Sequence, residues 1–253
     1  MCKGVPSSGA LAGKQRRTVT PPLFILSPDR TMALSDWLVW QLADSAFPSG
    51  GFAHSGGLEA AWQWGEVRDR ETLVEYVRAS ITQLGHGGLP LVRAAHREAA
   101  LFGELDALCD AFLSNHVANR ASRRQGQALL ATAVSVYPID PLRQLRILVA
   151  ENGGAGHLAT VFGRVTGLLG LESERAARLF LFVALRGLLS SAVRLGATGP
   201  LEAQGIQFEV SEFCEGVVRK SRACNVEQLA QTAPMIEILQ ANHDRLYSRL
   251  FQS

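Results

Sequence analysis

The residues best suited to chemistry in this 253-residue sequence lie in one glycine-rich stretch. His54 stands between two double glycines, Gly50-Gly51 and Gly56-Gly57, and Glu59 follows shortly after them. An imidazole and a carboxylate are common partners in general acid–base catalysis, and the glycines allow sharp turns from which His54 can project. A simpler interpretation gives Glu59 the task of balancing the positive end of a helix that starts near Gly57. The pair therefore defines one hypothesis, a small helical hydrolase.

The remaining histidines and the cysteines do not supply the further groups that such an enzyme or a metal site needs. They are scattered as His86, His96, His116, His157, His243, Cys2, Cys109, Cys214 and Cys224, with no HExxH or CxxC spacing. The sequence also lacks the GxxxxGK[ST] nucleotide loop and the GxSxG nucleophile elbow. The unpaired cysteines are typical of free thiols in a reducing compartment. These patterns favour a non-catalytic binding protein without an intrinsic metal site.

A cluster of arginines offers a different kind of chemistry. Arg120, Arg123 and Arg124 fall within one predicted helix. Such a cluster is usually a solvated face, but a guanidinium also suits bidentate pairing with a carboxylate. The cluster is therefore a candidate for contact with a partner protein.

Composition limits the other classes of partner. Hydrophobic residues make up 47% of the chain and charged residues 19%, so a large core is expected, and the net charge is only +2. This balance gives no indication of nucleic acid or of an anionic membrane surface. The densest apolar run, Leu179 to Leu185, ends at Arg186. It is shorter than the ~18 residues of a membrane span, and we expect a buried core helix there.

Residues 1–31 differ from the rest of the chain because they are rich in Gly, Ser, Pro and basic residues and contain no acidic residue before Asp29. Their apolar segment is short for a secretory signal, and a transit peptide is a weaker alternative to a disordered extension. Met32 resembles an alternative start. The sequence thus predicts an unstructured extension over residues 1–31 and a folded domain over residues 32–253.

The pattern from Ser35 onward is helical almost throughout. Leu73, Val74, Val77 and Ile81 show the spacing of an amphipathic helix. The alternation of Ile206, Phe208 and Val210 is compatible with a strand, but over a longer window it fits a helix. We therefore predict an all-α fold, a single compact domain of about nine or ten helices.

The glycine-rich stretch also resembles a known signature. The order Leu42-Ala43-Asp44-Ser45-Ala46-Phe47-Pro48, Gly50-Gly51-Phe52-Ala53-His54-Ser55 and Gly57-Leu58-Glu59 is similar to that of UreF-type urease accessory proteins. Further similar blocks begin at Arg120, His157, Arg186 and Pro234, so the resemblance covers essentially everything from Ser35 onward. Ser49 and Gly56 depart from the residues usual in the family.

The resemblance implies a function that composition and spacing cannot supply. A UreF-type protein is an all-α, non-catalytic, cytoplasmic chaperone that works as a dimer in urease maturation. It binds the UreD/UreH accessory protein and recruits the GTPase UreG, and the resulting complex delivers Ni²⁺ to the urease apoprotein. Nickel is then handled by the complex, and no cofactor is expected to reside in this chain.

Two partner-binding hypotheses follow from the resemblance. The first assigns Tyr247, Arg249, Leu250 and Phe251, on a short tail expected to order on binding, to the UreD-type partner. The second assigns a face carrying Gly50, Gly51, His54 and Glu59 to the dimer or to UreG, and Arg120 and Arg123 are added as candidates for pairing with a partner's carboxylates.

Overall fold

Helix follows helix along the computed structural model, which describes Met1, residues 28–151 and residues 153–253. We number the α-helices in chain order as α1 Pro28–Ala43, α2 Leu58–Gln63, α3 Arg70–Gln83, α4 Leu89–Arg97, α5 Phe102–Phe112, α6 His116–Val136, α7 Asp140–Glu151, α8 Leu158–Leu168, α9 Ser173–Arg194, α10 Pro200–Glu209, α11 Ser211–Lys220 and α12 Pro234–Ala241. A π-helical turn, Leu84–Gly88, joins α3 to α4, and short 3-10 turns connect several other helices.

The prediction of an all-α domain is confirmed, and the described part of the chain contains no strand. The segment whose alternation was compatible with a strand, Ile206 to Val210, is helical and lies in α10 and at its end. The twelve α-helices listed above exceed the expected nine or ten, in part because the apolar pattern around Val210 is divided into α10 and α11.

The centre of the fold is the crossing of α4 and α8, where two backbones touch. A Cβ atom added at Gly163 of α8 would lie 2.1 Å from the carbonyl oxygen of Val92 in α4. One turn further along α8, a Cβ at Gly167 would lie 2.8 Å from the carbonyl oxygen of His96. Only glycine permits so close an approach. The same device holds α6 against the start of α8, where a Cβ at Gly126 would lie 2.1 Å from the carbonyl oxygen of Gly156.

Helix α9 lies against this centre and carries the densest apolar run of the sequence. Its 22 residues are long and apolar enough to cross a membrane by length and composition alone. Leu181, Leu185 and Leu189 are buried in the hydrophobic core, together with residues of α3, α4 and α8. This packing agrees with the expectation of a core helix.

The start of α8 is fixed by a buried carboxylate from another helix. Asp106 of α5 is 2% exposed, and it accepts hydrogen bonds of 2.8 Å from the backbone N–H groups of Gly156 and His157. Its Oδ1 atom also accepts a 2.7 Å bond from the hydroxyl of Thr160. A negative charge at this position complements the positive end of the helix. The long polar connection before α8 is thereby positioned without a local capping side chain.

The predicted N-terminal extension lies largely outside the described residues, since residues 2–27 are not among them. Helix α1 begins at Pro28, four residues before the domain boundary that the sequence placed at Met32.

Candidate functional site

The glycine-rich stretch forms a loop between α1 and α2 that lies on two other helices. Gly50 and Gly57 have φ angles of 77° and 89°, a conformation that other residues rarely adopt. A Cβ at Gly57 would also lie 2.9 Å from the hydroxyl oxygen of Tyr76, and that hydroxyl donates a 2.8 Å hydrogen bond to the carbonyl oxygen of Gly56. A Cβ at Gly50 would lie 3.3 Å from Ala128. The loop is thus held against α3 on one side and α6 on the other.

The C-terminal segment lies directly on this loop. The backbone N–H of Ser55 donates a 2.5 Å hydrogen bond to the carbonyl oxygen of Ser253, and the Ser55 hydroxyl donates a second one of 3.0 Å. The N–H of Gln252 donates to the carbonyl oxygen of Ala53 at 2.8 Å. We call this arrangement of residues 50–59 and 243–253 the loop–tail junction. The tail that was expected to order only on binding a partner is therefore already seated on its own chain.

Glu59 is the buried anchor of the junction. Its Oε1 atom accepts a 2.5 Å hydrogen bond from the N–H of Leu250, and its Oε2 atom accepts one of 3.1 Å from the N–H of Phe251. The Nε2 atom of His243 lies 2.9 Å from Oε2, and Glu59 and His243 are 1% and 0% exposed. Glu59 also stands in the first turn of α2, as predicted. Its carboxylate is therefore engaged on both oxygens by groups of the C-terminal segment.

This arrangement does not form the pair that the hydrolase hypothesis requires. Both carboxylate oxygens of Glu59 are occupied by His243 and by two tail N–H groups. His54 instead places its Nδ1 atom 2.5 Å from the hydroxyl oxygen of Ser253. Each residue of the expected pair is therefore engaged with the tail, and the two do not contact each other.

The charge state of His54 is set by its surroundings. Burial lowers the pKa of His54 to about 4, with smaller contributions in the same direction from the positive charges of Arg124 and Arg120. The imidazole is consequently neutral at physiological pH, and it can both donate and accept hydrogen bonds.

Arg194 makes a further contact with both parts of the loop–tail junction. The guanidinium of Arg194, at the end of α9, lies 3.8 Å from the ring centre of Phe52 and 4.2 Å from that of Phe251. It also donates a 2.5 Å hydrogen bond to the carbonyl oxygen of Phe52. Cation–π contacts of this kind stabilise by about 0.5–2 kcal/mol. Phe251 is 5% exposed, so this hypothesised partner contact is covered by its own chain.

Arginines surround the outer edge of the junction. Arg120 grips Asp244 with two hydrogen bonds of 2.9 and 3.0 Å, and Arg249 adds a third bond of 3.1 Å to the same carboxylate. Partial burial would raise the pKa of Asp244, but the hydrogen bond and charge of Arg120 and the charge of Arg249 outweigh it, and the pKa is lowered. Arg124 donates a 3.2 Å hydrogen bond to the side-chain oxygen of Gln252.

The candidate residues from the sequence lie in one region of the structure, but they differ in solvent exposure. Glu59 and Phe251 are buried, whereas Tyr247 is fully exposed and Leu250 is about half exposed. Arg120 and Arg249 are partly exposed and paired with Asp244, and Arg123 is exposed on α6. Gly50 and Gly51 contact α6 near Gln125.

Sequence reasoning missed the internal partners of these residues, namely Arg194, His243, Asp244 and Ser253. The His243–Glu59 contact joins positions that are 184 residues apart. No local spacing indicates such a contact, and His243 was indistinguishable from the other scattered histidines.

The described residues contain no group of three or more His, Cys, Asp or Glu side chains that could hold a metal ion. Cys109, which lies near two acidic residues, is buried, and burial together with the charges of Asp106 and Asp110 raises the pKa of its thiol to about 12. A thiol with such a pKa stays protonated and is a poor metal ligand or nucleophile.

A cavity of about 290 Å³ lies beneath the loop–tail junction, within the helical core. Its lining is mainly apolar and includes Phe47, Phe162 and Phe180. His54 and Glu237 are among its polar lining residues. The Oε2 atom of Glu237 is buried and has no hydrogen-bond partner among the described residues.

Comparison with known proteins places the chain among named relatives. The model of the UreF family matches residues 67–211. The urease accessory protein F of Oryza sativa subsp. indica is 39% identical over 249 residues, which cover 95% of each chain. The protein of the same name from Arabidopsis thaliana is 37% identical over 228 residues, covering 88% of this chain and 95% of its own. The urease accessory protein UreF of Mycobacterium tuberculosis strain H37Rv is 32% identical over 212 residues, covering 84% and 96%.

Proposed function

This chain belongs to the UreF family of urease accessory proteins, and on that premise we propose that it is a non-catalytic adaptor in nickel insertion. In this proposal the chain binds a UreD/UreH-type accessory protein and recruits a UreG-type GTPase. The assembly then delivers Ni²⁺ to the urease apoprotein in the cytoplasm, with this chain present as a homodimer. Nickel is the cargo of the assembly and does not reside in this chain.

The observation that carries the proposal is the loop–tail junction. In this junction Glu59 and His54 each bind the tail and do not form a pair with each other, which supports a structural role for both. At the same time it leaves Tyr247 and Leu250 projecting from a segment that is fixed at both ends, by Glu59 and by Ser55. Exposed aromatic and aliphatic side chains on a preorganised backbone are favourable for binding a partner, because less conformational entropy is lost on association.

The junction also refines the two partner-binding hypotheses. Tyr247, Leu250 and Arg249 are accessible and stay candidates for direct contact with the UreD-type partner. Phe251 and Glu59 are buried, and in our proposal they hold the accessible residues in place. Gly50 and Gly51 set the course of the loop, which carries Phe52 with 71% of its surface exposed.

The experiment is a co-purification. The tagged chain is expressed with UreD-, UreG- and urease-type proteins, and the complexes are sized with and without GTP and Ni²⁺. We expect an assembly that contains both accessory partners and a loss of urease activation when the chain is omitted. Failure to associate with either partner would contradict the proposal.

The tail is tested by two variants in the same assay. Deletion of residues 247–253 removes the whole segment, and Tyr247→Ala/Leu250→Ala removes only exposed side chains while leaving the contacts of Glu59. We expect both to weaken the complex with the UreD-type partner. The matched control is Leu201→Ala/Phe208→Ala on α10, which removes side chains that are 88% and 85% exposed. Full affinity of the deletion variant would show that the tail has no part in binding.

A further inference from the structure

Three arginines of α6 and one of the tail form a continuous basic face, which we define as Arg120, Arg123, Arg124 and Arg249. The first three stand at helical spacings of three and four residues, so they share one side of α6. Arg249 reaches the same place through Asp244, the carboxylate that it shares with Arg120. Arg249 therefore joins the basic face only when the tail is seated on the loop.

The four arginines are not equally engaged. Arg120 and Arg249 pair with Asp244 at 2.9 and 3.1 Å. Within the described part of the chain, neither Arg123 nor Arg124 has a carboxylate within the 4.0 Å of an ion pair. Because the whole chain carries a net charge of only +2, this is a local excess of positive charge.

Two carboxylates next to the basic face have lowered pKa values. Hydrogen bonds from Asn119 and His157 lower the pKa of Asp110, and the charge of Arg123 acts in the same direction. The pKa of Asp244 is lowered as well, by Arg120 and Arg249 against the effect of partial burial. Negative charge is thus stabilised on both sides of the basic face.

The surface at this place is concave. Two adjoining depressions of about 640 and 670 Å³ share Arg120 and Arg124. Arg123, Gln127 and Asp110 line the first, and Arg249, Gln252 and Asp244 line the second. Asp244 shows how a carboxylate binds here, since the Nη2 atom of Arg120 donates to both of its oxygens and Arg249 donates to one of them. The shape and the donor set therefore suit an extended chain that carries more than one carboxylate.

We propose that the basic face binds an acidic segment of a protein partner, whose carboxylates pair with Arg123 and Arg124. Arg120 stays on Asp244 and acts as a positioning residue for the tail. Tyr247 and Leu250 are accessible and lie close in sequence to Arg249, so they can make apolar contacts with a bound protein. A free anion could not make such contacts. This inference rests on the proposed function, and it specifies the chemistry of the partner's contact.

The test uses the full chain with its co-expressed accessory partners. Arg123→Glu and Arg123→Glu/Arg124→Glu are compared with the wild type by titration at several salt concentrations. The control, Arg146→Glu/Arg219→Glu, makes the same change in net charge with exposed residues of α7 and α11. We expect about a tenfold or larger loss of affinity for the double variant, a smaller loss for Arg123→Glu, and a weaker dependence on salt in both. Unchanged affinity of the folded double variant, or an equal loss in the control, would overturn the inference.

A second measurement separates this inference from the function on which it rests. Hexaglutamate and orthophosphate, at matched ionic strength, are titrated into the isolated chain and its variants. We expect hexaglutamate to bind the wild type and the control but not Arg123→Glu/Arg124→Glu, even if no accessory partner co-purifies. Binding of orthophosphate as tight as that of hexaglutamate would instead assign the basic face to phosphate groups. No difference between the wild type and the double variant would remove the site.

Discussion

The α4–α8 crossing and the loop–tail junction are both closely packed, but they are built from opposite kinds of contact. At the crossing, backbone lies on backbone at Gly163 and Val92, and the absence of side chains creates the fit. At the junction, side chains such as Glu59 and His54 bind the backbone and hydroxyl groups of the tail. The first contact depends on shape alone, and the second depends on charge and hydrogen bonding.

The difference indicates which part of the molecule can change. A backbone crossing has no alternative partners, so it is either formed or lost with the fold. Hydrogen bonds to N–H and carbonyl groups can be exchanged for equivalent bonds to water or to another protein. The chain therefore combines a permanent frame with a junction whose hydrogen bonds can be exchanged.

The largest expected effect concerns the frame. In Gly163→Ala the new Cβ would meet the carbonyl oxygen of Val92 at 2.1 Å, and this backbone atom cannot move aside cheaply. We expect a loss of about 3 kcal/mol or more in the free energy of unfolding, measured by urea denaturation. Gly187→Ala in α9 is the control, because a Cβ there meets nothing within 4 Å. Gly187→Ala should raise the free energy of unfolding by about 0.5–1 kcal/mol. Equal effects of the two substitutions would contradict the claim that the close backbone contact at Gly163 requires glycine.

The next effect concerns the anchor of the junction. Glu59→Ala leaves two tail N–H groups and His243 without their acceptor in a buried place. We expect about 3 kcal/mol of destabilisation, with fast hydrogen exchange at Leu250 and Phe251. Glu59→Gln keeps the shape and one acceptor oxygen, and its effect should be smaller. If exchange in α8 accelerated as much as exchange in the tail, the junction and the frame would be one cooperative unit.

The junction should also respond to pH. The pKa of His54 is about 4 in the folded chain and 6.5 ordinarily. Between these values the unfolded chain binds a proton that the folded chain does not, so stability falls as the pH decreases from 6.5 towards 4. After allowance for solvent screening, we expect about 1–2 kcal/mol from this group. The check is the difference between the wild type and His54→Gln in urea denaturation across this range, and parallel curves would contradict the assignment.

The smallest effect belongs to the outer ion pair. Arg120→Ala removes the two hydrogen bonds from Nη2 to Asp244, and the side chains of Arg120 and Asp244 are each about one-third exposed. We expect a loss of about 0.5–1 kcal/mol that shrinks as salt is added. A salt-independent loss of several kcal/mol in the free energy of unfolding would show that this pair is as important to the fold as the α4–α8 crossing.

The fold was predictable because its signals are local. The spacing of Leu73, Val77 and Ile81 marks α3 within a few turns, and Glu59 was correctly placed near the start of a helix. The close approach of α4 and α8 was not predictable, because Gly163 looks like any other helical glycine until its neighbour is known.

The candidate site was predictable only in part, for the same physical reason. The spacing of the arginines of α6 predicts that they share one face. Which of them pairs with Asp244 and which faces solvent depends on the tail, which is distant in sequence. The pairing of Glu59 with His243 likewise has no local trace. Tertiary contacts between single polar residues leave no periodic pattern, whereas the burial of a helix face does.

The hydrogen bond from Ser55 to Ser253 has a consequence for the time order of folding. It joins residues that are 198 positions apart, so its formation must wait until the intervening helices have brought the two segments together. Only at this late stage does Arg249 complete the basic face and are the exposed tail side chains held in position. A chain that is folded only in part lacks this completed surface. Completion of this surface therefore requires completion of the domain.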